Sequence, residues 1–392
     1  MNRLDTELRC SLADLERNGL RRNLRIIASE HGPRVVHNGV NLIMLCSNNY
    51  LGLAAHPLVK KAAIAAAERY GVGAGASRLV AGNLEPIRRL EANLADLKKT
   101  EAALVFGSGY LANLGVINAL VGPGDAVFSD ELNHASLIDG CRLSKAAVRI
   151  YRHCDFDHLR ALLEQAVSAR RRLIVTDSIF SMDGDFAPLR EIVELARRFD
   201  AAVMIDEAHA VGVLGPDGAG LAAELGLEKE IDVHVGTLSK ALGSYGAYVA
   251  GSSVLIDFLV NRARSFIYTT GLPPALAAAA DTAIEIMKAE PQRIRRLWSN
   301  AAHLRQRLAQ AGFALGSSRS PILPLHIGEA QTAIAMAARL LELGVYVIAI
   351  RPPTVPAGTA RLRITPTAAH SIADLDEAAD AIIQSGRELR LI

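Results

Sequence analysis

The sequence predicts an α/β protein with a mainly parallel central sheet, helices on both of its faces, and a smaller C-terminal α+β domain. Three observations lead there. Short β-branched apolar runs alternate with helical patterns through the middle of the chain; that alternation builds a parallel sheet flanked by helices. The runs are nearly continuous in apolarity, as strands buried on both faces must be. Beyond about residue 284 the pattern changes to long helices separated by isolated strands.

Residues 1–46 read as an amphipathic helix and a short extended segment ending in Asn41-Leu42-Ile43-Met44-Leu45. Residues 47–284 hold the central domain. Its candidate strands are Ala103–Phe106, Ala126–Ser129, Val148–Tyr151, Leu173–Asp177, Ala202–Asp206, Val233–Gly236 and Ala247–Ala250. Helical patterns precede or separate most of them, as over Leu84–Lys98 and Leu189–Phe199. Residues 285–392 form the α+β domain. Helices are expected over Pro291–Ala311, Ala330–Leu343 and from Ile372 onward, with strands over Leu323–Ile327, Val345–Ile350 and Arg361–Thr365.

The 392 residues are 50% hydrophobic and 21% charged, which supports a sizeable core and excludes a disordered chain. Lys and Arg number 43 against 41 Asp and Glu, so no global field favours nucleic acid or an anionic membrane as a partner. No apolar run is long enough to span a bilayer, and the N-terminal stretch is polar, without a signal core. A cytoplasmic protein is expected. Cys10, Cys46, Cys141 and Cys154 form no CxxC pair, and no Cys/His cluster has zinc-like spacing. Free thiols and no metal are therefore expected.

Five short motifs carry chemistry. Ala202-Val203-Met204-Ile205-Asp206-Glu207-Ala208-His209 is a buried strand ending in a carboxylate, with His209 three residues on. The carboxyl end of a parallel strand faces the crevice where α/β proteins bind ligands. Val235-Gly236-Thr237-Leu238-Ser239-Lys240 ends a second strand in hydroxyls and a lysine without charged neighbours. A desolvated lysine has a lowered pKa and can act as an imine-forming nucleophile. Phe106-Gly107-Ser108-Gly109-Tyr110 opens a helix, where free N–H groups and the helix dipole suit a phosphate. Asn133-His134-Ala135-Ser136 and Asp177-Ser178-Ile179-Phe180-Ser181-Met182-Asp183-Gly184 complete the set. Each has a bland reading as a cap, a turn or a surface lysine. Together they supply what pyridoxal phosphate (PLP) needs: a lysine, a carboxylate for the pyridinium nitrogen and donors for the phosphate. Gly71-Val72-Gly73-Ala74-Gly75-Ala76 mimics a dinucleotide fingerprint but follows a helical pattern, so it fails its context.

Across essentially the whole chain these motifs resemble the α-oxoamine synthases, a family of fold-type-I PLP enzymes. Asn48-Asn49-Tyr50-Leu51-Gly52, Gly73-Ala74-Gly75-Ala76-Ser77-Arg78, Asn133-His134-Ala135-Ser136 and Asp206-Glu207-Ala208-His209 carry the likeness. Members condense an amino acid with an acyl thioester and release CO2. The run Ile350-Arg351-Pro352-Pro353-Thr354-Val355-Pro356-Ala357 resembles the branch that joins L-alanine to a pimeloyl thioester, carried on acyl carrier protein or CoA. Ile364-Thr365-Pro366-Thr367 is instead similar to the aminolevulinate-forming branch, and Ala81 stands where a serine often precedes Gly-Asn. The competing readings are another enzyme of the family, using glycine with succinyl- or acetyl-CoA, and a non-catalytic PLP-fold subunit.

The resemblance implies roles. Lys240 holds PLP as an imine and later moves the α-proton. Asp206 pairs with the ring nitrogen, His134 stacks on the ring, and His209 and Ser181 lie near its hydroxyl. Ser108, Gly109, Tyr110, Thr237 and Ser239 surround the phosphate. Arg363 holds the amino-acid carboxylate, while Arg21 and Thr354 line the substrate side. The resemblance also implies a homodimer, in which the Gly75–Arg78 loop and Thr269-Thr270 reach the partner's cofactor.

Overall fold

The structure is a computed structural model that describes residues 2–392. Its strands, in chain order, are β1 Arg34–His37, β2 Val40–Met44, β3 Ala102–Phe106, β4 Ala126–Asp130, β5 Ala147–Tyr151, β6 Arg172–Asp177, β7 Ala202–Asp206, β8 Val233–Thr237, β9 Ala247–Gly251, β10 Leu323–Gly328, β11 Val345–Tyr346, β12 Ala349–Ile350 and β13 Ala360–Ile364. The first helices are α1 Arg3–Arg17, α2 Pro57–Tyr70, α3 Glu85–Lys98, α4 Gly109–Leu120, α5 Ala135–Ser144, α6 Phe156–Glu164 and α7 Leu189–Arg198. The chain forms two compact units.

The larger unit comprises Asn49–Ser181 and Asp185–Arg296. Its seven-stranded sheet has the order β3-β9-β8-β7-β6-β4-β5. Neighbours from β5 to β8 pair in parallel, and β9 runs antiparallel to both β8 and β3. The reversal has a simple cause. Residues 238–246 between β8 and β9 are too few for the helical crossover that a parallel pair requires. Because β4, β6, β7 and β8 point the same way, their last residues, Asp130, Asp177, Asp206 and Thr237, lie along one edge. Beneath this edge, Val127, Val175, Met204, Val235 and Val249 pack with Val116, Ile117, Leu137 and Leu259 in a closed apolar core.

The smaller unit comprises the chain up to Asn48, with Met182–Gly184 and Leu297–Ile392. It contains two three-stranded sheets, β1-β2-β11 and β10-β13-β12. Ile43, Leu45, Leu304, Leu325, Met336, Leu362 and Ile382 are buried in one core. Truncating any of the large ones to Ala should cost about 2–5 kcal/mol.

The expected division at residues 46 and 284 differs from these units in two ways. Residues 1–46 are not a separate segment, because β2 pairs with both β1 and β11. No break occurs at residue 284. The helix Pro274–Ala289 runs through it with Ala277, Ala280, Ala283 and Ile284 buried, and belongs to the larger unit. The single strand expected over Val345–Ile350 is two, β11 and β12, in different sheets. The first helix stops at Arg17, where Asn18 caps it and Gly19 takes φ +64.

Candidate active site

Along the carboxyl edge of the large sheet, residues from four strands converge. Three residues beyond β8, Lys240 places Nζ 2.7 Å from Nε2 of His209, itself three residues beyond β7. On the other ring nitrogen of His209, Nδ1 lies 2.7 Å from the Tyr50 hydroxyl. An ammonium can only donate, so with Lys240 protonated Nε2 accepts and Nδ1–H faces Tyr50.

Asp206 ends β7 and is buried. Its carboxylate accepts from Asn113 Nδ2 at 2.7 Å and from the Ala208 N–H at 2.9 Å. Asn113 also donates to Ser136 Oγ at 2.9 Å, and Ser136 Oγ lies 2.7 Å from His134 Nδ1. Ser136 therefore donates onward, and His134 Nδ1 also accepts from the Ser136 N–H as the N-cap of α5. With Nδ1 accepting, the ring proton sits on Nε2. Burial lowers the His134 pKa, opposed by Asp206 and reinforced by Lys240, so the neutral form is favoured. His134 is nevertheless exposed to solvent. Asp177, at the end of β6, accepts from the His134 N–H at 2.7 Å. Burial and then the Asp206 carboxylate push its carboxyl well above the ordinary value.

Ser108 caps α4, its Oγ accepting from the Leu111 N–H at 3.2 Å. A side chain at Gly109 would enter open space, so the helix N-terminus is bare where an anion can approach its N–H groups. Thr237 and Ser239 hydroxyls lie 2.7 Å apart. An amine, a fixed carboxylate, a flat neutral imidazole and an open helix N-terminus on one sheet edge are the groups and charges that PLP needs.

The other expected residues have the following surroundings. Tyr110 is exposed and donates to Asp139 at 2.6 Å. Ser181 is half-buried in the larger unit. Thr270 forms an antiparallel bridge with Ser77, so the two loops expected to act together are joined within one chain. Arg78 in that loop is fixed by Glu91 at 2.8 Å. In the smaller unit, Arg363 is buried on β13 and donates to Asn48 Oδ1 at 3.0 Å. Arg21 and Thr354 line a cavity of about 920 Å³ with Arg22, Arg25, Tyr346 and Arg351. There Arg22 donates to Thr354 at 3.3 Å, and Arg21 pairs with Glu16 at 2.6 Å.

Three residues of the network carried no assigned role in the sequence reading: Tyr50, Asn113 and Asp177. Tyr50 and Asp177 stand inside motifs. Asn113 lies one helical turn into α4, and only its apolar surroundings, Ala112 and Leu114, mark it as a buried polar group. A fourth buried group lies behind the site. Glu207 pairs with Lys98, whose Nζ also donates to the Ala219 carbonyl, and Glu207 Oε1 accepts from the Ala222 N–H at 3.1 Å.

Residues 40–382 match the family described as aminotransferase class I and II. The 8-amino-7-oxononanoate synthase of Anaeromyxobacter dehalogenans is 55% identical over 365 residues, covering 93% of this chain and 92% of that one. The 8-amino-7-oxononanoate synthase of Geobacter sulfurreducens is 52% identical over 383 residues, covering 97% and 98%. A solved serine palmitoyltransferase from S. paucimobilis with a bound PLP–myriocin aldimine superposes with TM-score 0.95 at 33% identity over 100% of both chains. The 8-amino-7-oxononanoate synthase of Francisella tularensis gives 0.77 at 27% identity, over 90% of this chain and 99% of that one. Backbone likeness and sequence likeness thus rank these proteins differently. A shared scaffold hosts several activities, so the side-chain identity is the more specific guide. The chain belongs to the class I and II aminotransferase family and, within it, to the 8-amino-7-oxononanoate synthases.

Proposed function

We propose that this chain is a PLP-dependent enzyme that condenses L-alanine with a pimeloyl thioester, giving 8-amino-7-oxononanoate, CO2 and the free thiol in biotin biosynthesis. The observation that carries the chemistry is the 2.7 Å approach of Lys240 Nζ to His209 Nε2, on the sheet edge that also presents Asp206. The substrate pair is supported by 52–55% identity to named synthases over more than nine-tenths of the chain.

When bound, PLP supplies a protonated ring that takes up the electron pair left on the substrate's α-carbon. Lys240 is the amine that anchors the cofactor. When not holding the cofactor, the same amine would be the base that moves the α-proton. Asp206 keeps the ring nitrogen protonated, because an adjacent anion favours the cation. His134, neutral and flat, covers one ring face. His209 and Ser181 serve the ring hydroxyl. Ser108, Gly109, Tyr110, Thr237 and Ser239 take the phosphate. Arg363 takes the alanine carboxylate, for which a planar guanidinium has the matching geometry. Arg21 and Thr354 serve the acyl side, whose carrier is acyl carrier protein or CoA.

The same reading makes the protein a cytoplasmic homodimer, with Thr270 and the Gly75–Arg78 loop serving the partner's site. Val72, Val80 and Tyr268, on or beside these bridged loops, are 84%, 80% and 72% exposed, and such apolar exposure favours a protein partner. Among the described residues no helix is long and apolar enough to cross a membrane. The test is incubation with alanine and pimeloyl-CoA, followed by mass spectrometry of the product. Glycine with succinyl- or acetyl-CoA and serine with palmitoyl-CoA are the competing pairs. Faster turnover of a competing pair, or turnover that survives Lys240→Ala, would overturn the assignment.

A further inference from the structure

At the far side of the same sheet edge, β4 ends in Asp130, and His153 and Cys154 follow β5. A ligand atom from each of these three residues lies within 4.8 Å of the other two. His153 Nδ1 is 2.9 Å from Asp130 Oδ1, and Cys154 Sγ is 3.8 Å from that same nitrogen. Donors on a tetrahedral zinc ion are separated by roughly 3.3–3.6 Å. The thiol is also 3.6 Å from His153 Nε2, so a turn of the Cys154 side chain toward the Nδ1–Asp130 side would bring the three groups onto one face of a coordination sphere.

The surroundings prepare these donors. Backbone N–H groups of Leu132 and Cys154 each donate to Asp130 at 2.9 Å, which fixes its carboxylate. The second ring nitrogen of His153, Nε2, lies 2.7 Å from Asp185 Oδ2. A carboxylate on the distal nitrogen fixes the ring and makes the other nitrogen a stronger ligand. Phe180 stands edge-on to the imidazole at 4.4 Å and walls one face. Cys154 adopts φ +54, the left-handed region that disfavours a cysteine, and this turn brings its thiol back beside His153. Among the described residues Asp185 Oδ1 is buried without a hydrogen-bond partner.

We propose that Asp130, His153 and Cys154 form a binding site for a thiophilic divalent cation of the zinc type, oriented by Asp185 and separate from the Lys240 chemistry. The metal takes the place of the proton between His153 Nδ1 and Asp130, and Cys154 binds as thiolate with release of its own proton. A nitrogen, sulfur and oxygen donor set suits zinc and its cobalt substitute rather than magnesium or calcium. Bound there, the ion would tie the loop after β4 to the loop after β5.

The test uses the PLP-loaded protein after chelator treatment and dialysis, titrated with Co2+ alone. The expected result is one equivalent with the visible d–d bands of tetrahedral cobalt and a thiolate charge-transfer band, displaced by Zn2+. Cys154→Ser should abolish the charge-transfer band and weaken binding at least about tenfold, with an unchanged melting temperature of the metal-free protein. Asp185→Asn should weaken binding about 10-fold or more. Cys10→Ser, at an exposed thiol remote in sequence, should change nothing. Absence of tetrahedral cobalt bands in the unmodified protein, or bands that persist in Cys154→Ser, overturns the proposal.

Discussion

Lys240 Nζ and His209 Nε2 lie 2.7 Å apart, and His209 is held from behind by the Tyr50 hydroxyl at the same distance. The lysine is thus aimed by a buried pair from two other parts of the chain. Tyr50→Phe deletes the hydroxyl without changing the packing shape. One hydrogen bond is worth about 0.5–1.5 kcal/mol, so kcat/KM should fall roughly 2- to 10-fold while the melting temperature changes little. Steady-state kinetics and a thermal melt measure both.

The Asn113–Ser136 relay gives a second expectation. Asn113 donates to both Asp206 and Ser136. A hydrogen bond to a charged group contributes about 1.5–3 kcal/mol. Asn113→Ala should therefore reduce turnover about 10- to 100-fold and shift the pH dependence of the bound cofactor's absorbance, since the Asp206 carboxylate would be less well fixed. Ser136→Ala should act in the same direction but more weakly. An unaltered absorbance titration in both variants would separate the relay from the cofactor.

Arg363→Lys keeps the charge and removes the planar fork. The alanine KM should rise about 10-fold or more, with a smaller change in the KM for the pimeloyl thioester. Initial rates with each substrate varied in turn distinguish the two. Equal effects on both would remove Arg363 from the alanine carboxylate.

The Lys98–Glu207 pair should matter for stability rather than chemistry. Both residues are fully buried. Burial alone pushes the Glu207 carboxyl up, but Lys98 and His234 outweigh it and hold it at about 2 against an ordinary 4.5. A depressed folded pKa stabilises the fold above pH 4.5, and that contribution is lost as pH falls from there through about 2. Lys98→Met leaves a buried carboxylate unpaired and should cost about 3–5 kcal/mol in urea unfolding at pH 7. The double variant Lys98→Met with Glu207→Leu should recover part of that loss. A single variant as stable as the original chain would show that the pair contributes nothing.

The strand–helix alternation of the large unit was legible in the order of the residues. Buried strands leave a continuous apolar signature, and the polar residues that end them stand out against it. Asp206, Lys240 and the Ser108 turn were legible for that reason. The antiparallel course of β9 was also written in the short interval between residues 237 and 247. Tertiary structure alone decided the partnerships. Tyr50 meets His209 across 159 positions and Asn113 meets Asp206 across 93, and no local pattern encodes such pairings. The same holds for the Asp130–His153–Cys154 cluster: no sequence spacing announces it, because adjacent parallel strands bring the ends of β4 and β5 side by side. Likewise, the division into units follows which strand edges pair. Residues 34–44 join the C-terminal part because β2 finds its second partner in β11, some 300 residues later, a choice made by hydrogen-bonding edges and not by position in the chain.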